Sequence, residues 1–219
     1  MMYRARAIAL LLFMAEIKPV IIDYGAGNLR SVVNAVRYIG AVPLVTQNAR
    51  DIAAAPAVIL PGVGAAGCVM DGLAGHSLRQ ALLEYIAGGK PFMGVCLGLQ
   101  VLFDSTEEGE CQCLGVVPGR VKKFQAGLKV PHMGWNQVKQ IQSHPIFTDI
   151  ADNADFYFVH SYFGVPENRS FIAGETDYGV TFCSVIARGN LVATQFHPEK
   201  SGPDGLKIYS NFLKMAGAC

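Results

Sequence analysis

The sequence predicts an α/β domain, with a mostly parallel central sheet covered by helices on both faces and an antiparallel extension. Three observations lead there. In the first half of the chain, short apolar runs alternate with segments of helical spacing, the pattern of strands buried on both faces. In the second half, β-rich runs follow one another across turns with no long helix between them. Across 219 residues, 51% are hydrophobic and 16% charged. That supplies a sizeable core and excludes a largely disordered chain.

Residues 1–18, MMYRARAIALLLFMAEIK, come first. Arg4 and Arg6 ahead of an apolar run from Ala7 to Ala15 match a secretory leader superficially. The run is too short to span a bilayer, Glu16 and Lys18 follow at once, and a core-like strand begins at Pro19. The expectation is an extra leader over 1–18, with Met14 the working start, and a single domain over 19–219.

From Pro19 to Asp23 the chain reads as a buried strand, YGAGN as a glycine-rich turn, and Leu29–Ile39 as a helix closed by Gly40. Strands follow at Pro43–Thr46 and Ala57–Leu60, a helix at Ser77–Ala87 closed by Gly88-Gly89, a strand at Lys90–Val95 and a short helix at Leu97–Phe103. WNQVKQI, DFYFVHSY, FIAGETDYG, FCSVIARGN and LVATQFH then read as strands, with ARGN a hairpin turn. A last helix runs from Pro203, a favoured first-turn residue, to Met215.

A net charge of +1 without a basic block excludes a general phosphate-backbone binder, so neither nucleic acid nor a membrane is an expected partner. Six scattered cysteines without a CxxC pair point to free thiols, mostly buried, in a cytoplasmic chain. The spacing of His132, His144 and His160 predicts no zinc site, and Cys111-Gln112-Cys113 is a poor metal motif without nearby partners. His76 and His144 read as ordinary surface histidines, and Asp104, Glu107, Glu108 and Glu110 as a solvated loop. No metal or cofactor is expected.

The sharpest chemistry lies in Gly94-Val95-Cys96-Leu97-Gly98, between a strand and a helix. This is a nucleophile elbow with Cys in place of Ser. A helix N-terminus favours thiolate over thiol, and the Leu97 N–H would face a developing oxyanion. Phe196-His197-Pro198-Glu199 closes a later strand. In an extended segment Glu199 lies on the same side as His197, can orient its ring, and leaves the other ring nitrogen for Cys96. Only a fold that gathers strand ends can join these two motifs, and an α/β sheet does so. Leu60-Pro61-Gly62-Val63-Gly64 follows a strand and could supply a second oxyanion N–H or cradle a phosphate. The dinucleotide pattern GxGxxG is not met there, nor in YGAGN, so nucleotide binding is disfavoured.

Together these motifs resemble the class I (triad) glutamine amidotransferases, whose GxCxGxQ and HPE stand here as residues 94–100 and 197–199. Within that class, IIDYGAGNLRS (21–31), LPGVGA (60–65), VPHMGWN (130–136) and FYFVHSY (156–162) are similar to the glutaminase subunits of imidazole glycerol phosphate synthase. The likeness covers nearly the whole chain beyond the leader. It implies a flavodoxin-like three-layer fold and hydrolysis of glutamine to glutamate and ammonia by Cys96, His197 and Glu199. Gly62, Val63 and Gly64 with Leu97 would form the oxyanion site, and Gln100, His160, Ser161 and Tyr162 would hold glutamine. The implied partner is a (β/α)8-barrel cyclase subunit that receives the ammonia in histidine biosynthesis. Asn28, Trp135, Tyr157 and Lys200 would lie at that interface or at the ammonia passage. Position 99 is Leu where many class I relatives have His. The alternative is the glutaminase of another class I enzyme, such as the pyridoxal phosphate synthase partner.

Overall fold

In the computed structural model, which describes residues 17–25, 29–75 and 77–217, the first apolar run becomes strand β1 (Val20–Ile22). Residues 1–16 of the expected leader and Asn28 lie outside the described residues. Strand β1 pairs in parallel with β2 (Leu44–Thr46) and β3 (Val58–Leu60). Next, β3 pairs in parallel with β4 (Phe92–Val95), and β4 with β13 (Leu191–Thr194). Four of these five strands are buried at every position, while β2 is the partly exposed edge.

The continuous burial follows from alternation across the sheet. Ile21, Ile59 and Met93 face one side with Val36, Ile208 and Phe212. Val20, Val58, Leu60 and Phe92 face the other with Leu73 and Leu82. The helices supplying these partners are α1 (Leu29–Tyr38) and α6 (Gly202–Gly217) on the first face, and α3 (Ala66–Gly75) and α4 (Leu78–Ala87) on the second. The result is the three-layer α/β architecture the sequence predicts.

Two helices escape sequence reading. Helix α2 (Ala49–Ala54) is too short to show a period, and it starts because the Asn48 side chain accepts the Arg50 N–H at 2.9 Å. Helix α3 contains Gly67, Gly72 and Gly75, poor helix formers, yet Ala66, Val69 and Leu73 are buried. Gly72 is required by close approach, since a Cβ there would lie 2.1 Å from the Tyr24 carbonyl oxygen.

The antiparallel extension begins at the ARGN turn, where β12 (Thr181–Arg188) returns along β13 with Gly189 at φ 57°. Beyond β12 lie β10 (Tyr162–Pro166), β7 (Gly119–Lys123), β5 (Ser105–Thr106) and β6 (Cys111–Gln112). A branch runs from β12 through β11 (Ile172–Asp177) and β8 (His132–Gln140) to β9 (Ala154–His160). DFYFVHSY is therefore not one strand. It breaks at Ser161, where the chain leaves β8 for new partners in β7 and β12.

Among the described residues no helix is long and apolar enough to cross a membrane. The five described cysteines are free: Cys96, Cys113 and Cys183 buried, Cys111 half-buried and Cys68 exposed.

Candidate active site

Strands β1, β3, β4 and β13 run in one direction, so the loops after them gather at one edge of the sheet. Cys96 follows β4 and opens helix α5 (Leu97–Gln100), with a non-glycine φ of 54°. That strained conformation is held by the surrounding packing. A Cβ on Gly94 would meet the Gly98 carbonyl oxygen at 2.4 Å, and one on Gly98 would meet the Leu60 carbonyl oxygen at 2.1 Å. Gly62 closes the interlock, with its added Cβ 2.4 Å from Leu97 Cβ. Helix α5 is only four residues long, so the dipole contribution expected at the sulfur is small.

His197 follows β13, the neighbour of β4 in the sheet. Its Nδ1 lies 2.8 Å from Glu199 Oε1, and both side chains are 2% exposed. The pairing arises differently from the extended geometry expected. Pro198–Lys200 is a 3-10 turn, and that turn brings Glu199 beneath the ring. Tyr209 of α6 donates its hydroxyl to Glu199 Oε2 at 3.3 Å. Burial acts to lower the His197 pKa, but hydrogen bonds with Cys96 and Glu199 and their charges outweigh it, raising it to about 10.

Above Cys96 opens a cavity of about 270 Å³, lined by Val63, Gly64, Leu97, Gln100, His160, Ser161, Tyr162 and His197. Thus every residue assigned to the oxyanion or to glutamine borders it except Gly62, which supports the elbow from behind. The Val63 N–H is engaged by the Tyr24 hydroxyl at 3.3 Å. Gln100 gives its amide hydrogens to the Tyr162 carbonyl at 2.8 Å and to Gln195 Oε1 at 3.1 Å, so only its Oε1 remains for a ligand.

The wall behind His160 has a determined proton arrangement. Asn136 Oδ1 accepts from Gln137 N and its Nδ2 donates to the Asp177 carbonyl, so the same Nδ2 donates to His132 Nε2. His132 Nδ1 then holds its hydrogen and donates to His160 Nε2 at 2.9 Å, and His160 Nδ1 donates to the Tyr162 carbonyl at 2.8 Å. Both rings are therefore neutral. Burial pushes His132 down to about 4 and, against the opposing hydrogen bond to the Tyr162 carbonyl, His160 down to about 3. With both nitrogens occupied, His160 offers a ligand its backbone and ring face only.

The acidic loop is not simply solvated. Asp104 accepts the Gly119 N–H and Glu107 the Lys123 N–H, each at 2.8 Å. Glu108 accepts the Ala66 N–H at the start of α3 at 2.8 Å and lines the cavity. Sequence reasoning missed Glu108, Gln195, His132 and Tyr24, and nothing local signals them. His144 is half-buried and caps the turn at Pro145, while His76 lies outside the described residues.

Trp135 and Tyr157 face each other across β8 and β9 with ring centroids 6.1 Å apart, and Lys200 Nζ sits 5.8 Å over the Tyr157 ring. Trp135 is 59% exposed and Met133 60%, so these residues form an outward apolar face rather than core. Among the described residues no group of three or more His, Cys, Asp or Glu could hold a metal.

The sequence profile described as "Glutamine amidotransferase class-I" matches residues 20–216. The imidazole glycerol phosphate synthase subunit HisH of Dehalococcoides mccartyi strain CBDB1 is 52% identical over 197 residues, 90% of this chain and 96% of that protein. The HisH subunit of Nitrosococcus oceani is 48% identical over 207 residues, 90% of this chain and 97% of that one. Among solved structures, one titled "Crystal structure of glutamine amidotransferase" shares the fold at TM-score 0.73 and 16% identity, covering 90% of this chain and 98% of that one. The structure of PurLQS from Thermotoga maritima does so at TM-score 0.71 and 18% identity, with the same coverage. The chain belongs to the class-I glutamine amidotransferase family and, within it, to the HisH subunits of imidazole glycerol phosphate synthase.

Proposed function

We propose that this chain hydrolyses glutamine to glutamate and ammonia and delivers the ammonia to a (β/α)8-barrel cyclase subunit, as a cytoplasmic half-enzyme of histidine biosynthesis. The observation that supports the reading best is that Cys96 and a His197 hydrogen-bonded to Glu199 come together at the wall of a 270 Å³ cavity, a volume suited to one amino acid.

In this scheme the Cys96 sulfur attacks the side-chain amide carbon of glutamine, and His197 holds the proton taken from the thiol. The carbonyl oxygen becomes an oxyanion facing the Leu97 N–H, with a second N–H supplied from Gly62–Gly64 once Val63 leaves the Tyr24 hydroxyl. His197 passes its proton to the departing nitrogen, so ammonia leaves and a γ-glutamyl thioester remains. A water activated by His197 then attacks the thioester, releasing glutamate and restoring the thiol. Glu199 stabilises the charged ring throughout. The Glu108 carboxylate provides a partner for the α-ammonium of glutamine, and the backbone at Ser161–Tyr162 forms the opposite wall. The outward face of Trp135, Tyr157 and Lys200 is the surface assigned to the cyclase; Asn28 is assigned to the interface or ammonia passage from the sequence likeness alone.

Glutamate release tests this in three mixtures: the chain alone, with purified cyclase, and with cyclase plus its nucleotide ligand. A large rise only in the last is expected, and full activity of the chain alone overturns the coupled reading.

A further inference from the structure

Gln195 is fully buried between β13 and the turn that bears His197, and the mechanism above leaves it without a role. Its Oε1 accepts from Gln100 Nε2 at 3.1 Å, and its Nε2 lies 3.7 Å from Cys96 Sγ. The neighbours decide which end of the amide is which. The Tyr162 carbonyl can only accept, so the Gln100 atom facing it at 2.8 Å is the NH2. That same NH2 faces Gln195, so the Gln195 atom there is the oxygen and the atom facing the sulfur is the nitrogen. The sulfur is thus addressed by a group that can only donate. Apart from His197, which takes the proton in the reaction, the nearest acceptor for a thiol hydrogen is distant, the Val159 carbonyl at 4.0 Å.

We propose that Gln195 is a further catalytic residue, whose Nε2–H donates to the Cys96 sulfur and favours the thiolate, with Gln100 and the Tyr162 carbonyl fixing its orientation. A thiolate accepts a hydrogen bond far better than a thiol, so a fixed donor stabilises the charged form selectively. Burial strengthens the effect, because no water competes for either partner. The other titratable groups facing this region are His197 after β13, Tyr24 after β1, His160 on β9, and Glu108 and Lys200 at the cavity wall. His197 exchanges its proton during turnover, whereas the amide does not titrate. Gln195 therefore supports the sulfur through both the attack and the return of the thiolate as leaving group. The inference deepens the glutaminase reading and rests on it.

Gln195→Met tests it, being similar in length and without a donor. Alkylation of Cys96 by iodoacetamide is followed at pH 7 on the free chain by peptide mass spectrometry, with exposed Cys68 as internal control. Hydrolysis of glutamine is followed in the complex with cyclase and its ligand. Both the Cys96 alkylation rate and kcat/KM are expected to fall about tenfold, equivalent to about 1.4 kcal/mol, with KM nearly unchanged and Cys68 unaffected. Gln195→Asn withdraws the amide by one methylene, keeps the site polar and must move both rates in the same direction. It decides the question if the Met variant does not fold. Wild-type alkylation of Cys96 in the folded variant overturns the proposal, whether or not hydrolysis falls. Slowed alkylation in the variant, beside a wild-type complex that does not hydrolyse glutamine, overturns the glutaminase reading instead.

Discussion

Glu199→Gln removes one charge from the triad while keeping its shape. The two neighbours orient the new amide. His197 Nδ1–H, 2.8 Å away, requires an acceptor, so Oε1 stays beneath the ring and the amide nitrogen meets the Tyr209 hydroxyl, 3.3 Å from the present Oε2. Both hydrogen bonds survive and only the carboxylate charge is lost. A hydrogen bond to a charged group contributes about 1.5–3 kcal/mol, against about 0.5–1.5 for a neutral one. At a side-chain exposure of 2% for both partners there is little solvent screening to reduce the difference. The imidazolium formed as the thiol is deprotonated therefore loses about 1–1.5 kcal/mol of support. The His197 pKa moves down from about 10 by roughly one unit, and kcat/KM falls roughly 5- to 13-fold. The assay is glutamate release in the activated complex, with an NMR titration of the His197 ring. A variant within threefold of wild type, or a ring that titrates where the wild type does, would refute the assignment of Glu199 as the charge that supports His197.

Three further outcomes follow from particular contacts. Gly98→Ala drives a Cβ to 2.1 Å from the Leu60 carbonyl oxygen, backbone against backbone, so about 3 kcal/mol of stability and roughly 6–12 °C of Tm should be lost; an unchanged melting curve contradicts the interlocked elbow. Glu108→Gln keeps an acceptor for the Ala66 N–H but removes the charge offered to the substrate ammonium, so KM for glutamine should rise about tenfold with kcat unchanged. Steady-state kinetics checks it, and a fall in kcat at constant KM counts against the role. His132 and His160 are held neutral in the fold, with pKa values lowered to about 4 and about 3. The unfolded chain takes up protons near pH 6.5 where the fold does not, so stability is full above that pH. About 2 kcal/mol from the pair is lost between pH 6.5 and 5.5. Urea unfolding across that range measures it, and His160→Asn should flatten the slope.

The parallel half of the fold was legible because β1, β3 and β4 are short apolar runs bounded by turns, and α1 places Val32, Ala35 and Val36 on one face. What stayed hidden depends on distant partners. Helix α3 reads as a loop until Gly72 meets the Tyr24 backbone, and the break at Ser161 is set by which strands lie beside it. The site divides in the same way. Cys96 and His197 stand out because each ends a strand with an unusual local pattern, and adjacency of β4 and β13 joins them. Glu108 reads as one more acidic loop residue, and Gln195 as a strand polar residue, because their partners Ala66 and Cys96 lie far away in sequence. The helix-dipole support for the sulfur that GVCLGLQ predicts is small in the fold, because the helix is only four residues long.

The proposed chemistry turns on the Cys96 sulfur taking the γ-glutamyl group from glutamine. The most direct measurement is acid quenching of the working complex, supplied with glutamine and the cyclase ligand, followed by intact-mass and peptide analysis. A γ-glutamyl thioester on Cys96 during turnover is the predicted result, absent from a folded Cys96→Ser chain that releases no glutamate. Normal glutamate release by Cys96→Ser, or a γ-glutamyl group on any other residue, would contradict it.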